Sequence, residues 1–242
     1  MPHNPTHRLV ESPKLSGRYL ADYMVASERR RRTIIRDCKY RKIAQVIHHQ
    51  LAKAFITNFL KNGSADANLL MVEAERLRDM MADTPYYRDV YDNNADFLEA
   101  YSNAFDSNKL PAAEIVPFDE DFKIDLNGVD LNPDIKLALQ RTTKTNRLRT
   151  GLLTIRYAKN KPLDNETGLW QSSLLFGCRK MIDNEDETAA EQKLCITLDA
   201  CTGEMIEAPG DALSRFKNME AACQSIAERW ASVEPPENAV LK

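Results

Sequence analysis

The stretch Phe122-Lys-Ile-Asp-Leu-Asn-Gly-Val-Asp-Leu-Asn-Pro-Asp134, continuing to Leu175, decides the fold. Lys123 to Leu126 and Val129 to Leu131 flank Asn127-Gly128, the dipeptide that most favours a two-residue hairpin turn. In that register Asp125 stands directly opposite Asp130, an unfavourable like-charge pair unless both face water or a cation or basic group lies between them. Asn132-Pro133-Asp134 then leads into an alternating strand from Ile135 to Arg141. A polar basic turn runs to Arg149, and Leu152 to Ala158 is the most apolar strand of the chain. Glu166 to Met181 carries helical periodicity.

Outward from there, the first half reads as helices. Lys14 to Ala26 is one, and Ser27 is a suitable N-cap for the next. Ile43, Ile47, Leu51, Phe55 and Phe59 step by four towards a stop at Gly63, and Asp66 to Ala82 repeats the pattern. Thr84-Pro85 starts a helix running to about Phe105, and residues 106–113 read as a linker. After Met181, Lys193 to Leu198 and Met205 to Glu207 read as strands paired across Thr202-Gly203. Ala212 to Trp230 is an amphipathic helix with Phe216, Met219, Cys223, Ile226, Ala227 and Trp230 inward. The expected class is α+β: a basic helical region at 1–84, an α/β core at 85–232 and a flexible tail at 233–242.

Composition excludes several functions. With 29% charged and 43% hydrophobic residues the chain has an ordinary globular profile. No apolar run reaches the ~18 residues of a membrane span, and the N-terminus shows no export signal, so a cytosolic setting is expected. Five scattered cysteines without a C-x-x-C pair suggest reduced thiols rather than a zinc site. His48 and His49 point about 100° apart on a helix and read as structural. There is no P-loop, no G-x-G-x-x-G, no G-x-S-x-G and no H-E-x-x-H.

The net charge of −3 conceals an asymmetry: residues 1–62 hold 13 Lys/Arg and 4 Asp/Glu, and the remaining 180 hold 20 and 32. A basic head points to a polyanion, to an acidic protein partner, or to docking on the acidic body of its own chain. Two basic groups suit phosphate contacts: Arg29, Arg30, Arg31, Arg32, Arg36, Lys39, Arg41, Lys42 and Lys53, and the turn group Arg141, Lys144, Arg147 and Arg149. Arginines in the first turn of a helix oppose its macrodipole, so helix stability does not account for them. The acidic helical face Asp89, Asp92, Asp96, Glu99 reads as solvated.

The order α-β-β-β-α-β from Tyr86 onward, with Pro133-Asp134 before the second long strand and Gln171 after Trp170, resembles the PD-(D/E)XK nuclease superfamily, especially its RecB-like and CRISPR-adaptation branches. The resemblance covers roughly residues 85–232 and implies a restriction-endonuclease-like mixed sheet flanked by helices. It also implies a metal-activated water held by an Asp on the second core strand and a (D/E)-x-K on the third, with a Gln on the next helix. Clustered carboxylates hold hard cations, and the Lys polarises the attacking water. Asp134 and Gln171 fall at matching positions, with Lys159 as the available lysine. The third strand, Leu152-Leu-Thr-Ile-Arg-Tyr-Ala-Lys159, has no acid two residues before a Lys; Thr154-Ile155-Arg156 is a nearest frame. The resemblance therefore implies a degenerate site in a nucleic-acid-associated protein, with DNA as the expected ligand and an accessory role in DNA processing or defence against mobile elements. A magnesium or manganese ion would be needed only by an active nuclease. Its missing acid would then come from Asp125, Asp130 or Glu166, with Asp134, or else the Asp125/Asp130 pair, as metal ligands.

Overall fold

The structure, a computed structural model, describes residues 5–43, 49–116, 118, 122–183 and 189–242. In chain order the elements are β1 (His7–Leu9), β2 (Lys14–Ser16), α1 (Gly17–Val25), α2 (Glu28–Lys39), β3 (Tyr40–Lys42), α3 (Gln50–Lys61), α4 (Asn68–Asp79) and α5 (Pro85–Ala104). They continue with β4 (Glu114–Val116), β5 (Ile124–Leu126), β6 (Val129–Asn132), β7 (Leu137–Thr142), β8 (Leu148–Arg156), α6 (Asn165–Ile182), β9 (Ile196–Asp199), β10 (Glu204–Glu207) and α7 (Ala212–Trp230). Helices and mixed sheets make this an α+β protein.

The main sheet has the order β10-β9-β8-β7-β4. β4 pairs antiparallel with β7, and β7 with β8. β8 and β9 run parallel, which requires a crossover, and α6 supplies it. Alternation along the strands divides the interior into two layers. Leu153 and Ile155 of β8, with Leu137 and Leu139 of β7, pack against Ile56, Phe59, Leu70, Leu77, Phe97 and Tyr101 from α3, α4 and α5. Leu152 and Ala138 face the opposite layer, where Leu20 of α1, Leu174 and Leu175 of α6, and Phe216, Met219 and Trp230 of α7 are buried. β8 is covered on both faces from Thr150 to Ile155, and that is why its middle, Gly151 to Ile155, is mostly apolar.

The hairpin forms as expected, with Asn127 and Gly128 at φ 49° and 85° and Asp125 opposite Asp130. It does not open the main sheet. β5 and β6 form a separate three-stranded sheet with β2, which pairs parallel to β6. In the hairpin Ile124, Leu126, Val129 and Leu131 bury one face, in the layer that holds α1, α6 and α7. The first strand of the main sheet is instead β4, three residues placed just after the expected linker.

The N-terminal boundaries also differ. Lys14–Ser16 is a strand rather than the first helical turn, because Ser16 caps α1 by accepting from the Tyr19 N–H at 3.4 Å. Ser27 and Thr84 cap α2 and α5 as expected. α3 begins at Gln50, and Ile47 of the apolar ladder lies outside the described residues, as does His48. Nothing in the packing divides at residue 84: α1 lies on α6, α3 and α4 lie against α5, and both buried layers draw residues from either side of that position. Nor are residues 233–242 a loose tail. The Val240 carbonyl accepts from the Thr6 and His7 N–H groups at 2.8 and 3.1 Å, and the Lys242 N–H donates to the His7 carbonyl at 3.0 Å. The free edge of β1 supplies those partners. Among the described residues no helix is long and apolar enough to cross a membrane.

Candidate functional site

Asp134 lies between β6 and β7 in the left-handed region, at φ 57°. Asp tolerates this conformation better than most residues because its short polar side chain can bond locally. The turn is fixed from two sides. Asn132 Oδ1 accepts from the Asp134 N–H at 2.8 Å, and Thr154 Oγ1, on β8, donates to the Asp134 carbonyl at 2.7 Å. The carboxylate is gripped by two ammonium groups, Lys53 Nζ of α3 at 2.8 Å and Lys136 Nζ at 2.9 Å, one on each oxygen. Burial on its own would raise the Asp134 carboxyl, but the two lysines outweigh it and hold the group below the usual carboxylate range.

Two residues beyond Thr154, on the same face of β8, stands Arg156. Its Nη1 donates to Gln171 Oε1 at 2.6 Å and its Nη2 to Asp22 Oδ1 at 2.8 Å. Burial pulls its pKa down and Asp22 partly restores it, and a guanidinium stays charged in either case. Gln171, on α6, is 1% exposed. The start of α1 joins the two groups: Gly17 lies so close to Pro133 that a Cβ there would meet Pro133 Cα at 3.0 Å, and the next residue, Arg18, offers its carbonyl to Arg156.

So Asp134 and Gln171 are both brought to the end of β8, and Lys159 is not. Lys159 lies past the last residue of that strand and bonds Asp96 of α5 at 2.5 Å, beside Arg78. This corrects the expected role of Lys159 and the solvated reading of the acidic face, where Arg78 also holds Glu99. The alternative acids are engaged elsewhere. Asp130 pairs with Lys14 Nζ of β2 at 2.8 Å, so a basic group of the chain itself stands beside one acid of the Asp125/Asp130 pair. Asp125 accepts from the Gly128 N–H, and Glu166 pairs with Arg215 at 2.6 Å. Among the described residues no group of three or more His, Cys, Asp or Glu side chains could hold a metal ion. His49 packs edge-on against Phe97 and Tyr157, the structural place expected of it.

The basic head is only partly a free surface. Arg31 donates to the Tyr23 and Met24 carbonyls at 3.0 and 3.1 Å and lies over the Tyr23 ring, closing the end of α1. Lys39 is 7% exposed and donates to the carbonyls of Trp230, Ala231 and Val233 at 2.7, 3.1 and 3.0 Å, closing the end of α7. Both are corrections to a purely phosphate-binding role: cations at helix C-termini satisfy carbonyls left over by the helix. Lys53 lies away from the α2 arginines and bonds Asp134, and Arg141 bonds Glu191. Arg29, Arg30 and Arg32 remain exposed, Arg32 sharing Glu28 with Arg229. Lys42, Lys144 and Arg147 are exposed as well, while Arg36, Arg41 and Arg149 are half-buried.

Lys136 and Asp22 were not singled out in the sequence, and Thr154 only as the residue standing in the frame that lacks a carboxylate. Lys136 could have been, since it follows Asp134 by two in an alternating strand and interrupts the apolar run Ile135 to Leu139. Asp22 gives no such signal, being an ordinary polar residue on an amphipathic helix. Compared with known proteins, the chain matches no family model, no curated protein and no solved structure.

Proposed function

We propose that this chain is a cytosolic nucleic-acid-associated protein on a PD-(D/E)XK-like core that binds without cutting, as an accessory component of DNA processing or defence against mobile elements. One observation carries the reading: the centre keeps an acid and a Gln and has lost the rest. Asp134 precedes the second antiparallel strand, and Gln171 lies on the crossover helix. On the third strand Thr154 and Arg156 stand where the resemblance expects an acid and a Lys, and they touch Asp134 and Gln171 respectively. The order α5-β4-β7-β8-α6-β9, with three antiparallel strands and a fourth parallel to the third, supports it. A hard cation wants several oxygen ligands, and the ammoniums of Lys53 and Lys136 beside one carboxylate oppose it.

Arg29, Arg30 and Arg32, exposed at the start of α2, are the phosphate contacts of this reading, with Lys42 and the β7–β8 turn residues Lys144 and Arg147 adding to them. The test is duplex-DNA binding by fluorescence anisotropy across a salt series. The triple variant R29Q/R30Q/R32Q should lower the slope of log affinity against log salt by up to about three. Arg31 is left in place because it closes α1. A slope that does not change removes α2 from the interface, and retention of an acidic protein in place of DNA favours a protein partner. Metal-dependent cleavage that disappears in Asp134→Ala overturns the non-cutting reading.

A further inference from the structure

We infer that the Lys53–Asp134–Lys136 cluster is a binding site for a phosphate-type oxyanion, with the Asp134 carboxylate holding the two ammonium groups in place. The inference rests on the nucleic-acid reading only for the natural source of the phosphate, a backbone phosphodiester.

The first argument is a count of donors. An ammonium carries three N–H groups. Lys53 and Lys136 each spend one on Asp134, and neither has another acceptor among the described residues. Their side chains are largely covered, at 22% and 12% exposed, which limits how they can turn. Polar groups at that depth are ordinarily paired. Four N–H donors beside one carboxylate thus have no protein acceptor among the described residues, and a tetrahedral oxyanion offers the oxygens to receive them.

Charge points the same way. Two cations face one carboxylate, leaving a surplus of one positive charge. The only charges that act appreciably on Asp134 are these two ammonium groups, and the neighbouring Asp22 is paired with Arg156. Asp134 is itself 32% exposed, so solvent and solutes reach the cluster.

The cluster is also held in advance of binding. Lys53 sits on α3, Lys136 at the entry to β7, and the turn between is fixed by Asn132 and Thr154. Donors positioned beforehand lose little freedom on binding. The left-handed backbone at Asp134 is a mildly strained conformation of the kind retained where a side chain must be aimed.

The probes are inorganic phosphate and sulfate, titrated into the full chain in metal-free buffer and followed by calorimetry and phosphorus NMR line width. Saturable one-to-one binding is expected. Lys53→Met and Lys136→Met should each weaken it about tenfold, the loss of one charge-assisted bond, and Lys136→Arg should retain it. Asp134→Asn is the sharpest arm. Asn keeps the left-handed turn but removes the competing negative charge, so affinity should rise several-fold, whereas a metal-mediated anion site would lose binding. Thermal unfolding checks that each variant is folded, and if Asp134→Asn is not, Asp134→Gly, which adopts the left-handed turn without strain, takes its place. Absent binding, binding indifferent to both lysines, or binding weakened in the folded Asp134 variant overturns the proposal. Phosphate binding without salt-dependent DNA retention leaves this site standing and removes the nucleic-acid function; DNA retention without phosphate binding does the reverse.

Discussion

At Lys39 an ammonium group meets the carbonyls of Trp230, Ala231 and Val233, a full complement of acceptors for its three donors. The partners lie 191 to 194 residues apart in the chain, at the end of α2 and the end of α7. Lys39→Met keeps most of the aliphatic stem and removes the donors; the Ala231 carbonyl then has no partner, while Trp230 keeps the Val233 N–H and Val233 the Tyr40 hydroxyl. Such a change should cost about 1–3 kcal/mol, read as a lower urea midpoint with an unchanged m-value. Arg31 has the same office at the end of α1, and so two of the cations that look most like nucleic-acid contacts in the sequence are structural. Residue type alone could not separate them from Arg29, Arg30 and Arg32, because an arginine offers the same fork to a carbonyl as to a phosphate.

Among the elements, local chemistry was the best guide. Ser27, Thr84 and Asn127-Gly128 each supply a short-range interaction, a cap or a left-handed turn, that needs no distant partner, and each element begins or turns where that chemistry places it. α7 matches its apolar stripe at Phe216, Met219, Cys223, Ile226 and Trp230. The faces of α6 were less legible. That helix is buried over most of its length, and small residues let its neighbours approach closely. Gly177 is the closest case: a Cβ there would lie 2.1 Å from the Phe216 ring of α7. Gly177→Ala gains helix propensity, about 1 kcal/mol, but it forces Phe216 or the helix to move, and overpacking of that kind costs about 1–3 kcal/mol. Net destabilisation is expected, with Phe216→Leu restoring part of it in the double variant. Additive effects of the two changes would show that they do not share a contact.

For the whole molecule, the head and the body are one structure. The basic N-terminal residues contribute β2 to the sheet with β6, Lys14 to Asp130, Lys53 to Asp134 and Asp22 to Arg156. Docking on the acidic body therefore accounts for part of the charge asymmetry, and the exposed arginines of α2 for the rest. The chain ends join in the same way. Removing residues 235–242 takes away the bonds that Val240 and Lys242 make with Thr6 and His7. The amides of Thr6 and His7 should then exchange with deuterium faster, while those of β8 keep their protection. Equal loss at both places would make the terminal pairing part of the global unfolding unit.

What the sequence determined by itself were the features set by neighbours within a few residues: helix caps, the hairpin turn, the apolar period of each element and the α+β class that follows from them. It also supplied the pairing of Asp125 against Asp130, because a two-residue turn fixes that register. Only the tertiary structure decided which sheet the hairpin joins, that a three-residue strand at Glu114 opens the main sheet, and which charges meet. Asp134 finds Lys53 across 81 residues and Arg156 finds Asp22 across 134. Charge and hydrogen-bonding capacity are the same for every lysine and every aspartate. Periodicity says which side of an element is buried, but the partner across the interior is chosen by how all the elements pack at once.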